Sequence, residues 1–225
     1  MDESQDAGLV HTVVGSSTIV VTFGGISQGI GIPAFEFQRI LSKFDVDRMF
    51  IRDMRQSWYH DGVVGLGDSL GAVADGLGSR LSGYSRKIFI GNSMGGFAAL
   101  FFGQALTADA VVAFDPQTFI SPSKRLRHQD FRWGRQVRGV HWRWGLRSHV
   151  FDLASYRFPM AKVHVGGGMK LDVIHARNIT DSGAEIVIRS GAKHDLVKQY
   201  RASGELEDIL RNVVNAAASI SSDAH

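Results

Sequence analysis

Few stretches constrain a fold as tightly as residues 87–97 of this chain. The apolar run Ile88-Phe89-Ile90 ends in Gly91-Asn92-Ser93-Met94-Gly95-Gly96, and Phe97-Ala98-Ala99-Leu100-Phe101-Phe102 follows. This order predicts a strand, a tight turn and a helix, with Ser93 on the turn. A serine on so sharp a bend has a strained backbone, and its hydroxyl stands clear of the sheet. Gly91 and Gly95 flank it because a Cβ at either place would collide where strand and helix nearly touch. The helix begins at the serine, so its free N–H groups and its dipole favour negative charge developing nearby. Glycine makes up 26 of the 225 residues, so the five-residue pattern says little by itself. Its setting between two apolar runs gives it weight.

The rest of the chain alternates between strand-like and helix-like runs. Residues 9–14 read as a short edge strand, and 17–23, β-branched and almost wholly apolar, as a strand buried on both faces. Residues 33–44 have helical spacing, with Pro33 suited to a first turn. A strand is expected at 48–53, a helix at 66–81, and strands at 110–114 and 162–165. A helix is expected at 172–180, a last strand at 185–188, and a C-terminal helix at 196–220 with a break at Gly204. Such alternation predicts an α/β architecture, a mostly parallel sheet with helices on both faces. Residues 121–149 depart from it, with no strand-like run and a high density of arginine and tryptophan. They read as an insertion within one domain spanning 1–225, a length that fits a single sizeable core.

A serine hydroxyl is a weak nucleophile until a base takes its proton, and the base needs an acid to orient it. The segment around Ser93 resembles the nucleophile elbow of the α/β-hydrolase superfamily. That resemblance implies the order serine, acid, histidine along the chain. His194, just past the last expected strand, then becomes the base, and Asp172, after the strand before it, the acid. Asp115, after the strand that follows the elbow helix, is the rival acid. Asp172 also suits a helix N-cap, and Asp115-Pro116 a turn. All lie at the carboxyl ends of parallel strands, where open α/β sheets bind ligands. The oxyanion formed on attack needs two convergent N–H donors. The resemblance points to Met94 and, in the loop after residues 17–23, to Gly25 or its neighbour Ile26. The superfamily often has His-Gly in that loop; this chain has Phe23-Gly24.

The insertion enters where α/β hydrolases often carry a lid. It holds Arg132, Arg135, Arg138, Arg143 and Arg147, three of the four tryptophans, and Asp130 as its only acid. Arginine binds carboxylate and phosphate in a bidentate manner, and tryptophan stacks on sugars and acyl chains. Arg135 and Arg143 are therefore candidate substrate-binding residues, or else members of a solvated face. Trp58 and Tyr59 either line the same mouth or pack at the core edge. Residues 57–62 and Asp115-Pro116-Gln117-Thr118 are also similar to bacterial hydrolase-like proteins of surface polysaccharide and glycoprotein modification.

Composition limits the alternatives. The net charge of +3 is too small to imply nucleic acid, and there is no cysteine for a disulfide or a thiolate site. No apolar run reaches the length of a membrane span, and the acidic start lacks the features of a signal peptide, which points to a cytoplasmic protein. Gly65, Gly67 and Gly71 miss the dinucleotide spacing, no phosphate-binding Gly-x-x-x-x-Gly-Lys pattern exists, and His128, His141 and His149 lack metal-helix spacing. No metal and no cofactor are expected. The expected chemistry is hydrolysis of a carboxylic ester, on a small molecule, an acylated glycan or another anionic substrate. An acyltransferase using the same residues and a binding protein that kept the fold without turnover are the alternatives.

Overall fold

The computed structural model describes residues 8–26, 35–145 and 149–216. Seven strands form one sheet: β1 (Leu9–Thr12), β2 (Thr18–Phe23), β3 (Asp47–Ile51), β4 (Arg86–Asn92), β5 (Ala110–Phe114), β6 (Ala161–Gly166) and β7 (Glu185–Arg189). Their order across the sheet is β1-β3-β2-β4-β5-β6-β7. Every pairing is parallel except the edge pair β1–β3. This is the mostly parallel α/β sheet that the alternation predicts.

Both faces of the sheet are covered, which is why its strands are apolar at consecutive positions. Ile19, Val21, Phe23, Phe89, Val111 and Val163 join one core with α2 (Leu70–Leu81), α3 (Met94–Ala105) and residues of α5 (Gly134–Trp144) and α6 (Lys170–Arg177). Val20, Ile88, Ile90, Val112 and Phe114 join the other with Leu41 of α1 (Gln38–Leu41), α7 (Leu196–Ser203) and α8 (Glu205–Asn215). Each fully buried side chain of this kind contributes about 1.5–3 kcal/mol. Helix α3 is buried almost all round, as a central helix must be.

Boundaries differ from the sequence expectation for local reasons. The helix expected from residue 66 begins at Leu70, because Gly65 has a φ of 85° and the Ser69 hydroxyl caps the Ala72 N–H at 3.2 Å. Gly204, at a φ of 83°, separates α7 from α8 where a break was expected. The expected role of Pro33, the start of the helix at 33–44, Arg147, and the end of the helix at 217–220 lie outside the described residues. The insertion forms α4 (Pro122–His128) and α5, joined by a turn in which Gln129 and Trp133 adopt left-handed backbone. Among the described residues no helix is long and apolar enough to cross a membrane.

Parallel register brings the strand ends to one edge. Phe23 pairs with Gly91, and Asn92 with Phe114. The turns after β2, β4, β5 and β6 therefore meet on the same side of the sheet.

Candidate active site

Ser93 sits between β4 and α3 with φ 56° and ψ −116°, a backbone region costly for any residue with a Cβ. The turn is locked by the Ser93 N–H, which donates to the Phe114 carbonyl at 2.8 Å. The flanking glycines are obligatory. A Cβ on Gly91 would lie 2.0 Å from the Gly95 carbonyl oxygen, and one on Gly95 would lie 2.0 Å from that of Phe23.

The structure brings Ser93, His194 and Asp172 into one hydrogen-bonded chain. Ser93 Oγ lies 3.0 Å from His194 Nε2, and His194 Nδ1 lies 3.0 Å from Asp172 Oδ2. His194 stands on the turn between β7 and α7, and Asp172 in the first turn of α6. Asp172 does not cap that helix: the N-cap position is Met169, and the carboxylate is committed elsewhere. Its second oxygen, Oδ1, accepts from Arg132 Nη1 at 2.6 Å. Burial pushes the Asp172 carboxyl up, but the bonds from His194 and Arg132 outweigh it and hold it below its ordinary value. Burial likewise pushes His194 down, but the Asp172 bond and charge, with the charge of Asp115, carry it above 6.5.

Asp115 closes the cluster from β5. Its Oδ1 accepts the Gly166 N–H at 2.8 Å, while Oδ2 is buried without a partner among the described residues. Burial raises this carboxyl to about 6. Ligand atoms of Asp115, Asp172 and His194 converge within 4.8 Å.

Met94 opens α3, and its N–H has no partner among the described residues, as expected of a first helical position. Gly25 lies against the elbow: a Cβ there would be 3.6 Å from Ser93 Cβ. Its N–H is engaged, however, donating to Glu36 Oε2 at 3.3 Å, while Glu36 Oε1 accepts from the Asn92 amide at 2.8 Å. Burial raises the Glu36 carboxyl above its ordinary value. Sequence offered no signal for Glu36, one acid in an amphipathic run.

Two expected substrate contacts require correction. Trp58 and Tyr59 are each 0% exposed, so neither presents a surface to a ligand. Asp53 gathers the Ser57 and Tyr59 N–H groups onto one oxygen, folding both rings inward. The Tyr59 hydroxyl instead donates to the Gly24 carbonyl at 3.0 Å, bracing the loop that carries Gly25. Arg143 is bound to Asp61, through Nε to Oδ1 at 2.9 Å and through Nη2 to Oδ2. Arg135 is exposed on α5 and is not among the residues lining the cleft beside His194.

That cleft, of about 760 Å³, has His194 and Asn92 on its wall and Arg39, Lys43, Lys198 and Arg201 around it. Lys43 pairs with Glu207. Arg39, Lys198 and Arg201 have no ion pair among the described residues. Arg39 of α1 and Lys198 and Arg201 of α7 thus bring positive charge to this cleft, whose wall also carries Glu36, Asp195 and Glu207. Arg132 is the insertion residue that reaches Asp172.

No protein-family model matches the chain, and no curated protein sequence matches it. Solved structures do. The capsule O-acetyltransferase of Neisseria meningitidis serogroup A is 11% identical, with a TM-score of 0.61 over 92% of this chain and 90% of that one. An α/β-hydrolase enzyme from the sediment metagenome of the Mar Chica lagoon, Morocco, is 14% identical, with a TM-score of 0.59 over 92% and 94%. Est816, an N-acyl homoserine lactone degrading enzyme, is 15% identical, with a TM-score of 0.60 over 91% and 96%. At these identities the likeness concerns architecture: the chain has the α/β-hydrolase fold.

Proposed function

We propose that the protein is a serine-dependent ester hydrolase. The observation that carries this reading is the unbroken chain from Ser93 Oγ through His194 to Asp172, with 3.0 Å at each step. His194 Nε2 removes the Ser93 proton as Oγ attacks the ester carbonyl. Asp172 holds Nδ1–H and stabilises the imidazolium that forms. The imidazolium returns the proton to the leaving alcohol, and water, deprotonated by the same histidine, releases the acid from the acyl-enzyme. Met94 N–H and a donor from the Gly25-Ile26 turn receive the oxyanion. Gly25 can act only once the Glu36 carboxylate has left it; the Ile26 N–H is the neighbouring choice.

The anionic character of the substrate rests on Arg39, Lys198 and Arg201 in place of Arg135 and Arg143, cations that share the cleft wall with Glu36, Asp195 and the Lys43-paired Glu207. The insertion at 121–149 serves as the lid of a single domain. Transfer of the acyl group to an alcohol other than water is the second reading, favoured by the likeness to a capsule O-acetyltransferase.

A fluorophosphonate probe tests the reading directly. It should label wild-type protein at Ser93, and Ser93→Ala should remain unlabelled and lose turnover of p-nitrophenyl esters. Full turnover in folded Ser93→Ala would end the proposal. A panel of neutral and anionic esters, run with and without an alcohol acceptor, separates hydrolysis from transfer.

A further inference from the structure

The insertion sends one side chain into the triad, and the bonding around it is unusually complete. Arg132 donates Nη1–H to Asp172 Oδ1 at 2.6 Å. Its Nε–H goes to Asp130 Oδ1 and its Nη2–H to Asp130 Oδ2, both at 3.0 Å. Asp130 Oδ2 in turn meets His175 Nε2 at 3.0 Å. His175 and Asp172 lie three residues apart on α6, hence on one helix face. Asp130 and Arg132 lie two apart on the α4–α5 turn. The four side chains interlock, and Asp130, Asp172 and His175 are each at most 2% exposed. Moving Arg132 alone would strip partners from two buried carboxylates, which is costly.

We propose that Arg132 is a positioning residue that sets the orientation of Asp172 and, through it, the basicity of His194. The proposal rests on the triad reading above. A carboxylate with one free oxygen can rotate; with Oδ1 held by a short charge-assisted bond, Oδ2 is aimed at His194 Nδ1. The charges support the same role. His175 is held neutral by burial. Asp130 and Asp172 together carry two negative charges, and Arg132 one positive, so the cluster has a net charge of −1. The imidazolium formed during acyl transfer brings it to zero. Without Arg132 the histidine would face two uncompensated carboxylates, hold its proton more tightly, and be a base over a narrower pH range.

The groups facing His194 from each side bear on the test. Asp172 comes from α6, Arg132 from the insertion, Asp115 from β5, and Glu36 from the segment before α1. Lys198 and Arg201 of α7 line the same cleft as His194, but Arg132 is the positive charge bonded to Asp172, and it lowers the His194 midpoint while Asp172 and Asp115 raise it. Removing it therefore moves that midpoint upward.

The experiment uses full-length Arg132→Ala and Arg132→Lys. The His194 ring is titrated by ¹H–¹⁵N NMR, and kcat and KM are measured across pH on an ester that the wild type turns over. Arg132→Ala should raise the His194 midpoint and shift the acid limb of kcat/KM upward. It should lower kcat by about 10- to 100-fold, the scale of a misplaced catalytic group, with KM little changed. Arg132→Lys keeps the charge but not the fork, so the midpoint should return towards wild type while kcat recovers in part. An unmoved His194 midpoint and unchanged kcat in folded Arg132→Ala overturn the proposal. If Arg132→Ala does not fold, Arg132→Lys decides: wild-type kcat would show that the fork has no positioning role. The NMR titration reads the Arg132–Asp172–His194 coupling even if Ser93→Ala keeps its turnover. Failure of the triad reading and failure of this inference are thus told apart.

Discussion

Ser93 and His194 are separated by 101 residues in sequence and by 3.0 Å at their facing atoms. Neither residue is placed by its own neighbours. Ser93 is set by the β4–α3 turn and its bond to Phe114, and His194 by the end of β7, two strands beyond β5. The sheet is what brings them together.

Strain at Ser93 gives a stability prediction with a sign opposite to that of activity. Ser93→Gly removes the Cβ that makes φ 56° costly, so the unfolding free energy from denaturant titration should rise by about 1 kcal/mol, a strain of roughly 1–3 kcal/mol partly offset by glycine's chain entropy. Ester turnover should fall on the order of 10⁴-fold or more. A destabilised Ser93→Gly would mean that the turn is not strained.

The two acids should be unequal. Asp172→Asn presents an amide to His194 Nδ1 and favours the wrong tautomer, so kcat should drop on the order of 10⁴-fold, as in triads generally. Asp115→Asn leaves the Asp172 bond intact and should cost about tenfold or less. Rates for the two variants in the reverse order would move the acid to Asp115.

The pH dependence follows from the direction of the His194 shift. A base must be neutral to take the Ser93 proton, and this ring titrates above 6.5. Activity should therefore climb with pH through a midpoint above 6.5. An acid limb centred below that value would contradict the Asp172 contact. Stability runs differently, because His60 and His164 are buried with lone Nε2 atoms and titrate at about 4. Their folded values are depressed, so the unfolded chain binds more protons between pH 6.5 and 4. Urea midpoints should fall across that window as pH drops.

Charge selection should map to α1 and α7. Neutralising Arg39, Lys198 and Arg201 together should raise KM for an anionic ester severalfold and leave a neutral one nearly unchanged, with the difference fading at high salt. Neutralising Arg135 and Arg138 should do neither. If the second pair changes KM and the first set does not, the substrate lies under the insertion.

Glu36 competes for the Gly25 donor. Glu36→Gln removes the negative charge that now engages the Gly25 N–H and should speed fluorophosphonate labelling severalfold at neutral pH, because that donor is then held less tightly and is freer to meet an oxyanion. Slower labelling would mean that Glu36 holds the Gly25 loop in its working position.

The sheet could be read from the chain because β-branched runs and glycine punctuation repeat with a clear rhythm. Ser93, Asp172 and His194 could be singled out because each follows a strand end, a position that sequence marks well. Arg132 could not. Its role depends on which of many arginines in the insertion meets α6, and that is decided by the left-handed turn at Gln129 and Trp133. Trp58 and Tyr59 misled for a related reason. An aromatic pair in a loop normally marks a surface, but Asp53 collects the N–H groups around it and turns the pair inward. Glu36 lay hidden because a carboxylate in a helical run carries no mark of the distant Gly25 that it contacts.

Helix α5 is moored at both ends, by Arg132 just before it to Asp172, and by Arg143 and Trp144 to Asp61. A flap that swung away would have to break the inner mooring, at about 3–5 kcal/mol for a buried pair, and would unseat Asp172 as it opened. The insertion is therefore better suited to be a roof than a door. Gln136 and Gln56 already touch across the roof at 3.2 Å, and the chain has no cysteine of its own. Cysteines at those two positions joined by a short crosslinker should leave turnover intact; a crosslinked protein that stops working would show that the roof has to lift.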